Sequence, residues 1–444
     1  MISSTTSDRS AQPSLIRAIG RFSLTAAIVN GVIGSGVFGL PSAVAALTGA
    51  WSPVVVLIAG ACVFVVLLCF AEVSSRFDQA GGPYLYAREA FGPIVGFQVG
   101  WLLLVSRLLA CAAALNILVV YVGLLAPEVA TPVGRAVTMT GAIAIATAIN
   151  ITGVRQATWT VNAFTIAKVL PLLLLIVLGL PHIRSDVLAA QAVVRPDWGE
   201  AVLLMVFAYG GFESMIVAAS ETRRPREDTG PALITAGAIV TLIYCLLQLA
   251  IVGVLPDAGQ STTPVASALG EVMGASGATL GSIAVALSVY GWLTGFTLMM
   301  PRVLYSMATH RELPAAVGRV HPRFHTPYVA IVANAVVALV MALYSSFAQA
   351  ATFAAIARLA VFAVTCAALP MLRRMHGPSP GFQLPGGTMF AIAGTAFSVW
   401  LLATRNTNQL WIMMAIVAAG VVLRASAGSH RHSLRTATRQ DPHP

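Results

Sequence analysis

The chain has 444 residues, of which 57% are hydrophobic and only 9% charged, and it carries a formal net charge of +10. A soluble domain carries about 25% charged residues, so this composition excludes a soluble enzyme or binding module and identifies a polytopic membrane protein. The positive excess does not point to nucleic acid, because the arginines fall in short connections between apolar runs, where they orient a membrane chain.

The first 21 residues are polar and lack an apolar core, so no cleavable leader is expected. About twelve apolar runs of membrane-spanning length follow. They lie near 22–47, 52–72, 92–125, 135–152, 158–180, 199–219, 231–255, 277–307, 327–346, 350–371, 386–403 and 409–424. The third and eighth are long, which implies tilt or extension beyond the membrane. Arg76, Arg88, Arg155, Arg223, Arg224, Arg311, Arg373 and Arg424 share one set of connections with both termini. The opposite set holds only Arg135, Arg184, Arg195 and Arg405. The arginine-rich side is expected to be cytoplasmic. Between spans seven and eight, Thr263–Gly274 reads as a short helix on the outer surface, and Ser426–Pro444 as a disordered tail. The cysteines Cys62, Cys69, Cys111, Cys245 and Cys366 all fall in apolar runs, with no metal-ligand spacing and no disulfide framework.

Two spans carry an internal flaw. The first reads IVNGVIGSGVFGLP over Ile28–Pro41, with Gly34-Ser35-Gly36 near its midpoint. Glycine inside a helix costs about 1 kcal/mol relative to alanine, so an interruption is expected there. Close helix packing on small residues would explain one such stretch. The sixth span, LLMVFAYGGFESMIVAASE, repeats the flaw at Gly210-Gly211. Two interrupted helices in corresponding halves point to a transporter site. Broken backbone at bilayer depth is tolerated only inside protein or along a wet cavity. The half-helix after Gly36 would aim free N–H groups at an anionic carboxylate. Carbonyls near Ile33 and Phe207–Ala208 would suit an ammonium. A solute with both groups is an α-amino acid.

Several stretches resemble the amino acid–polyamine–organocation permeases: IGSGVFGLP in span one, AGGPYLYAREAFGP (Ala80–Pro93), FAYGGFE with SETRRPRED following, and PRVLYSMATHRELPAAVGRVHPRFHTP. The resemblance implies an all-α integral membrane fold like that of the bacterial leucine transporter. Five plus five helices in inverted repeats are followed by two more, with helices one and six broken. The divisions would be a cytoplasmic segment 1–21, repeats at 22–180 and 199–371, two added helices at 386–424 and a cytoplasmic tail 425–444. It also implies alternating access. Ile33, Gly34, Ser35, Gly36 and Val37 would hold the substrate carboxylate and part of the ammonium. Phe207, Ala208 and Gly210 would hold the ammonium, with the Phe207 ring closing over the substrate.

Charges inside the spans are functional by default. Lys168, the lone lysine, would take the place of a sodium ion and tie spans one, five and eight, as in similar sodium-independent permeases; the alternative is a snorkelling anchor. Glu213 would either titrate during the cycle, as in some related permeases, or serve as a structural acid at a half-helix N-terminus. Arg107 and Arg358 are candidate pathway charges that pair with the substrate side chain or a gate acid, or else pair internally. Trp292, Tyr209 and Tyr290 are weaker candidates for a pocket wall or thin gate. Asn30 and Asn116 are expected to bond across helices, and Glu72 to form a surface pair with Arg76 at i+4.

These features imply a secondary amino acid transporter in a bacterial cytoplasmic membrane, proton-coupled or exchanging and sodium-independent. Its partners would be a small amino acid, protons and lipid, with no nucleic acid, metal or cofactor. A polyamine or organic-cation carrier would want more acids than Glu213. A non-transporting sensor would want a signalling domain. No catalytic set of an enzyme is present.

Overall fold

The computed structural model describes residues 20–77, 81–152, 168–191, 195–218, 222, 224–309, 314–324, 326–379 and 381–437. The start of the expected fifth span, most of the segment 1–21, Arg155, Arg223, Arg311 and the last residues of the tail lie outside them.

The described chain is a succession of helices. The first apolar run holds α1 (Arg21–Val32) and α2 (Gly36–Thr48), and α3 (Ser52–Ser75) follows a 3-10 turn. Next come α4 (Gly82–Phe91), α5 (Pro93–Gly123), α6 (Pro132–Thr152) and α7 (Lys168–His182), then the short α8 (Ser185–Ala190). The sixth apolar run holds α9 (Trp198–Tyr209) and α10 (Phe212–Ala218). The remainder comprises α11 (Pro225–Val254), α12 (Pro264–Met273), α13 (Ala275–Thr309), α14 (Tyr328–Tyr344), α15 (Phe347–His376), α16 (Gly387–Ala403) and α17 (Thr407–Ala437). Among the described residues, eight helical segments are long and apolar enough to cross a membrane, and α7, α14 and α16 are shorter apolar helices.

Local chemistry starts and stops these helices. Proline occupies the first turn of α3, α4, α5, α11 and α12, where its missing N–H costs nothing and its fixed φ suits a helix. A capping box of Ser346 and Gln349 opens α15, so two otherwise free N–H groups are satisfied. The connection between α4 and α5 is Gly92 alone, at φ +90°.

Burial sorts the helices by position. Every residue of α5 from Leu104 to Val119 is buried, the pattern of a helix surrounded by protein on all sides. It lies against α15, while α3 lies against α11, and α9 touches α2, α3 and α15. The interrupted runs therefore sit in the centre of the bundle. In contrast α17 leaves Trp411, Met414, Val421 and Val422 exposed, as a helix facing lipid would.

The expected short outer helix is present as α12, packed on α13 through the buried Val265, Ala266, Ala268 and Leu269. Two expectations need correction. The polar stretch after 424 does not begin a disordered tail at once, since α17 continues to Ala437. Glu72 is no surface residue. It is fully buried, accepting from Arg76 Nη2 (2.8 Å), from Arg373 Nε (2.8 Å) and from the Leu384 N–H (2.9 Å). The reason is long-range: the loop between α15 and α16 folds back over the end of α3, where Ser75 donates to the Phe382 carbonyl.

Candidate functional site

Both expected breaks are present, and they touch each other. Helix α1 ends at Val32 because Ile33 is extended (φ −67°, ψ 95°). Helix α9 ends at Tyr209, with Gly210 extended (φ −75°, ψ 158°) and Gly211 at φ +129°. That φ is one that only glycine adopts without strain. A Cβ on Gly211 would also collide with the Gly31 carbonyl. A Cβ on Gly36 would sit 3.0 Å from Ala208 Cα and 3.2 Å from the Phe207 ring. Small residues thus let the two interrupted backbones meet.

A small cavity opens between them. Gly34, Ser35, Gly36, Phe207, Ala208, Gly210, Trp292, Arg107 and Arg358 line it, with Gly31, Val32 and Ala110. Of the residues singled out in the sequence, Ile33 and Val37 are buried beside the cavity without lining it. Glu213 stands behind the two lining arginines, and Lys168 is not among the lining residues. Tyr209 points elsewhere: its hydroxyl donates to the Val56 carbonyl (2.9 Å), and it borders a separate hollow walled by Val63, Phe64, Leu67 and Val240. That hollow is almost wholly apolar and offers a zwitterion nothing.

The polar groups of the breaks are unevenly satisfied. In α2, Phe38 and Gly39 N–H reach the Ser35 carbonyl, whereas no acceptor among the described residues meets the N–H of Gly36 or Val37. These are the free donors of a helix N-terminus, with its partial positive charge. Most of the carbonyls expected to be open already have donors, whereas none among the described residues reaches the Gly31 or Ile33 carbonyl. Lys168 Nζ gives to the Asn30 carbonyl (2.9 Å). The Tyr244 hydroxyl lies 3.3 Å from the Val32 carbonyl and 3.2 Å from that of Ala208. Arg358 Nη1 gives to the carbonyls of Val206 (3.3 Å) and Phe207 (3.0 Å), and Arg107 Nη2 to that of Gly211 (3.0 Å).

Glu213 organises the two arginines. Its Oε1 accepts from Arg358 Nε (2.8 Å) and lies 3.3 Å from Arg107 Nη2, and its Oε2 accepts the Gly211 N–H (2.8 Å). All three side chains are buried. The Arg358 guanidinium lies directly over Gly210, where any Cβ would overlap it, and near the Phe207 ring (5.8 Å to the centroid). A gap in α9 is thus filled by a cation from α15 and braced by an acid from α10.

Lys168 joins α7 to α1 through the Asn30 carbonyl; the expected tie to the eighth span is not among the described contacts. Asn116 bonds across helices to the Ala342 carbonyl (3.2 Å). Tyr244 was not singled out from the sequence, although it clasps the ends of α1 and α9 together. A tyrosine in an apolar run carries no local sign of such a role. No group of His, Cys, Asp and Glu among the described residues could hold a metal ion.

Comparison with known proteins finds that the amino acid permease family profile matches residues 19–424. The chain is similar to the serine/threonine exchanger SteT of Bacillus subtilis, 28% identical over 430 residues, which cover 92% of this chain and 96% of the relative. It is similar to the methylthioribose transporter of the same organism, 26% identical over 454 residues and 97% of each chain. It is also similar to the human large neutral amino acids transporter small subunit 2, 26% identical over 375 residues, covering 81% of this chain and 70% of the relative.

Proposed function

The chain belongs to the amino acid permease family, and from that premise we infer a secondary active transporter that carries its amino acid by alternating access through the cavity between α1–α2 and α9–α10. That it is an amino acid transporter of the membrane, and not an enzyme, follows from the family and from the transporters it resembles. The single observation that carries the finer reading is the meeting of the two breaks. Their small residues bring the unpaired N–H of Gly36, with that of Val37 beside it, to the wall of one buried polar cavity. Interrupted helices placed so are how transporters present backbone groups to a solute at mid-membrane.

In this reading the substrate carboxylate caps α2 at Gly36 and Val37, with Gly34 and Ser35 beside it. The ammonium shares the second lone pair of the Ala208 carbonyl at the end of α9, with the Gly31 and Ile33 carbonyls at the end of α1. Phe207 and Trp292 flank the cavity, which is small, so both must shift to admit a solute. Lys168 supplies a fixed cation at the end of α1. A sodium ion bound to the same carbonyls would be redundant there, which supports sodium independence. Protons or counter-transported solute would then drive the cycle. Helices α1–α7 and α9–α15 would form the two five-helix repeats, with both termini on the arginine-rich, cytoplasmic side of a bacterial inner membrane.

Uptake of labelled amino acids into proteoliposomes tests this. Sodium replaced by choline should leave the rate unchanged, while an imposed proton gradient or internal amino acid should raise it. A strict requirement for sodium would overturn the coupling. Saturable binding with no flux would reduce the protein to a sensor.

A further inference from the structure

The cavity is rich in donors and poor in acceptors. Most of its carbonyl ends are occupied by Lys168, Tyr244, Arg358 and Arg107, and the Gly31 and Ile33 carbonyls are left for an ammonium. The one carboxylate nearby, Glu213, spends Oε1 on two guanidiniums and Oε2 on a backbone N–H. The charged groups that remain are on the donor side. The N–H groups of Gly36 and Val37 are free. Arg107 lines the cavity, is 6% exposed, and has a buried Nε with no hydrogen-bond partner. No hydrogen bond among the described residues uses its Nη1, or Nη2 of Arg358.

Charge tells the same story. Two guanidiniums against one carboxylate leave a net positive charge on the cavity wall. An uncompensated charge in the low-dielectric interior of a membrane protein is costly. A neutral zwitterion brings no net charge to offset it, and a polyamine worsens it. An amino acid with a second carboxylate brings one negative charge, and carboxylate is the group that guanidinium receives best.

We infer that this cavity selects acidic amino acids, of the glutamate and aspartate class, with the side-chain carboxylate received by the spare guanidinium donors of Arg107 and Arg358. The α-carboxylate keeps the α2 end of the cavity. The inference rests on the amino acid reading of the cavity. It differs from what the names of the serine/threonine and large-neutral relatives would suggest, so substrate competition separates the two.

The experiment is uptake of labelled L-glutamate and L-serine by the full chain in proteoliposomes, with unlabelled aspartate, serine, lysine and succinate as competitors. Glutamate should be carried, aspartate should compete, and serine, lysine and succinate should not. Arg107→Gln should reduce glutamate uptake roughly tenfold or more, the loss of one charge-assisted pair, and Arg107→Lys should restore part of it. Should either variant fail to elute as a folded protein, thermal stabilisation of the wild type by glutamate but not serine carries the same test. Serine uptake that glutamate does not inhibit would overturn the acidic subsite and leave amino acid transport standing. Succinate competing as well as aspartate would overturn the need for an amino group. No flux of any amino acid through folded protein would overturn both.

Discussion

Two clusters in this molecule have the same composition and different settings. Each is a fully buried glutamate held between two arginines: Glu213 with Arg107 and Arg358, and Glu72 with Arg76 and Arg373. At Glu72 most of the donors are spent on the fold, the buried Arg76 Nε alone among the described ones having no partner, and no cavity opens beside it. Arg76 Nη1 gives to the Gly377 carbonyl (2.9 Å), Arg373 Nη2 to that of Leu384 (2.7 Å), and the Arg373 side chain is 24% exposed, so water reaches it. That cluster ties the end of α3 to the loop after α15. At Glu213 the cations fill the gap in α9 and still face a cavity with donors to spare. An acid between two arginines is therefore a clasp in one place and the wall of a binding site in the other. Residue type does not decide which; the neighbouring backbone does.

The sharpest way to break the comparison is to neutralise each acid in turn. Glu213→Gln leaves two buried guanidiniums without their shared anion. Removing one partner of such a set costs about 3–5 kcal/mol, so both transport per molecule and thermal stability should collapse. A variant that transports normally would make Glu213 dispensable. Gly211→Ala comes next. It forces a side chain into φ +129° against the Gly31 carbonyl, at a cost of about 1–3 kcal/mol for the backbone alone. Reduced yield of folded protein is the expected readout, and wild-type yield would mean that the two breaks need not meet. Glu72→Gln should cost about 2 kcal/mol in a thermal or denaturant titration, since Arg373 can turn to water. Transport per folded molecule should persist, in contrast to Glu213→Gln. The smallest effect belongs to Tyr244→Phe, which loses a hydroxyl shared by the Val32 and Ala208 carbonyls. About 1 kcal/mol of stability should go, and the transport rate should change more than the amount of folded protein, because the clasp joins the two halves of the site.

The same contrast explains what was legible in the sequence. The breaks could be read because glycine announces itself: Gly34, Gly36, Gly210 and Gly211 weaken a helix wherever they stand. The apolar runs fixed the helices, since hydropathy over about 20 residues is a strong signal. The partners of Glu213 could not be read. Arg358 lies 145 positions away, and nothing local links the two. Glu72 was misread for a related reason: Arg76 at i+4 supplied a sufficient local partner, while Arg373 and the Leu384 N–H arrive from across the fold. The open carbonyl ends expected at Phe207–Ala208 were misjudged similarly, because Arg358 and Tyr244 come from other helices. Past residue 424, polarity suggested a tail where α17 continues, since composition alone does not distinguish a polar helix end from a coil.

The most direct measurement is solute counterflow. Proteoliposomes loaded with unlabelled amino acids are diluted into a trace of labelled amino acid, with no ion gradient imposed. A carrier with one alternately exposed site must show a transient overshoot of label inside the vesicles. Wild-type protein should show it, and protein-free vesicles should not. A folded wild-type protein that binds the label yet gives no overshoot would contradict the idea that the cavity between the two broken helices opens to each side in turn.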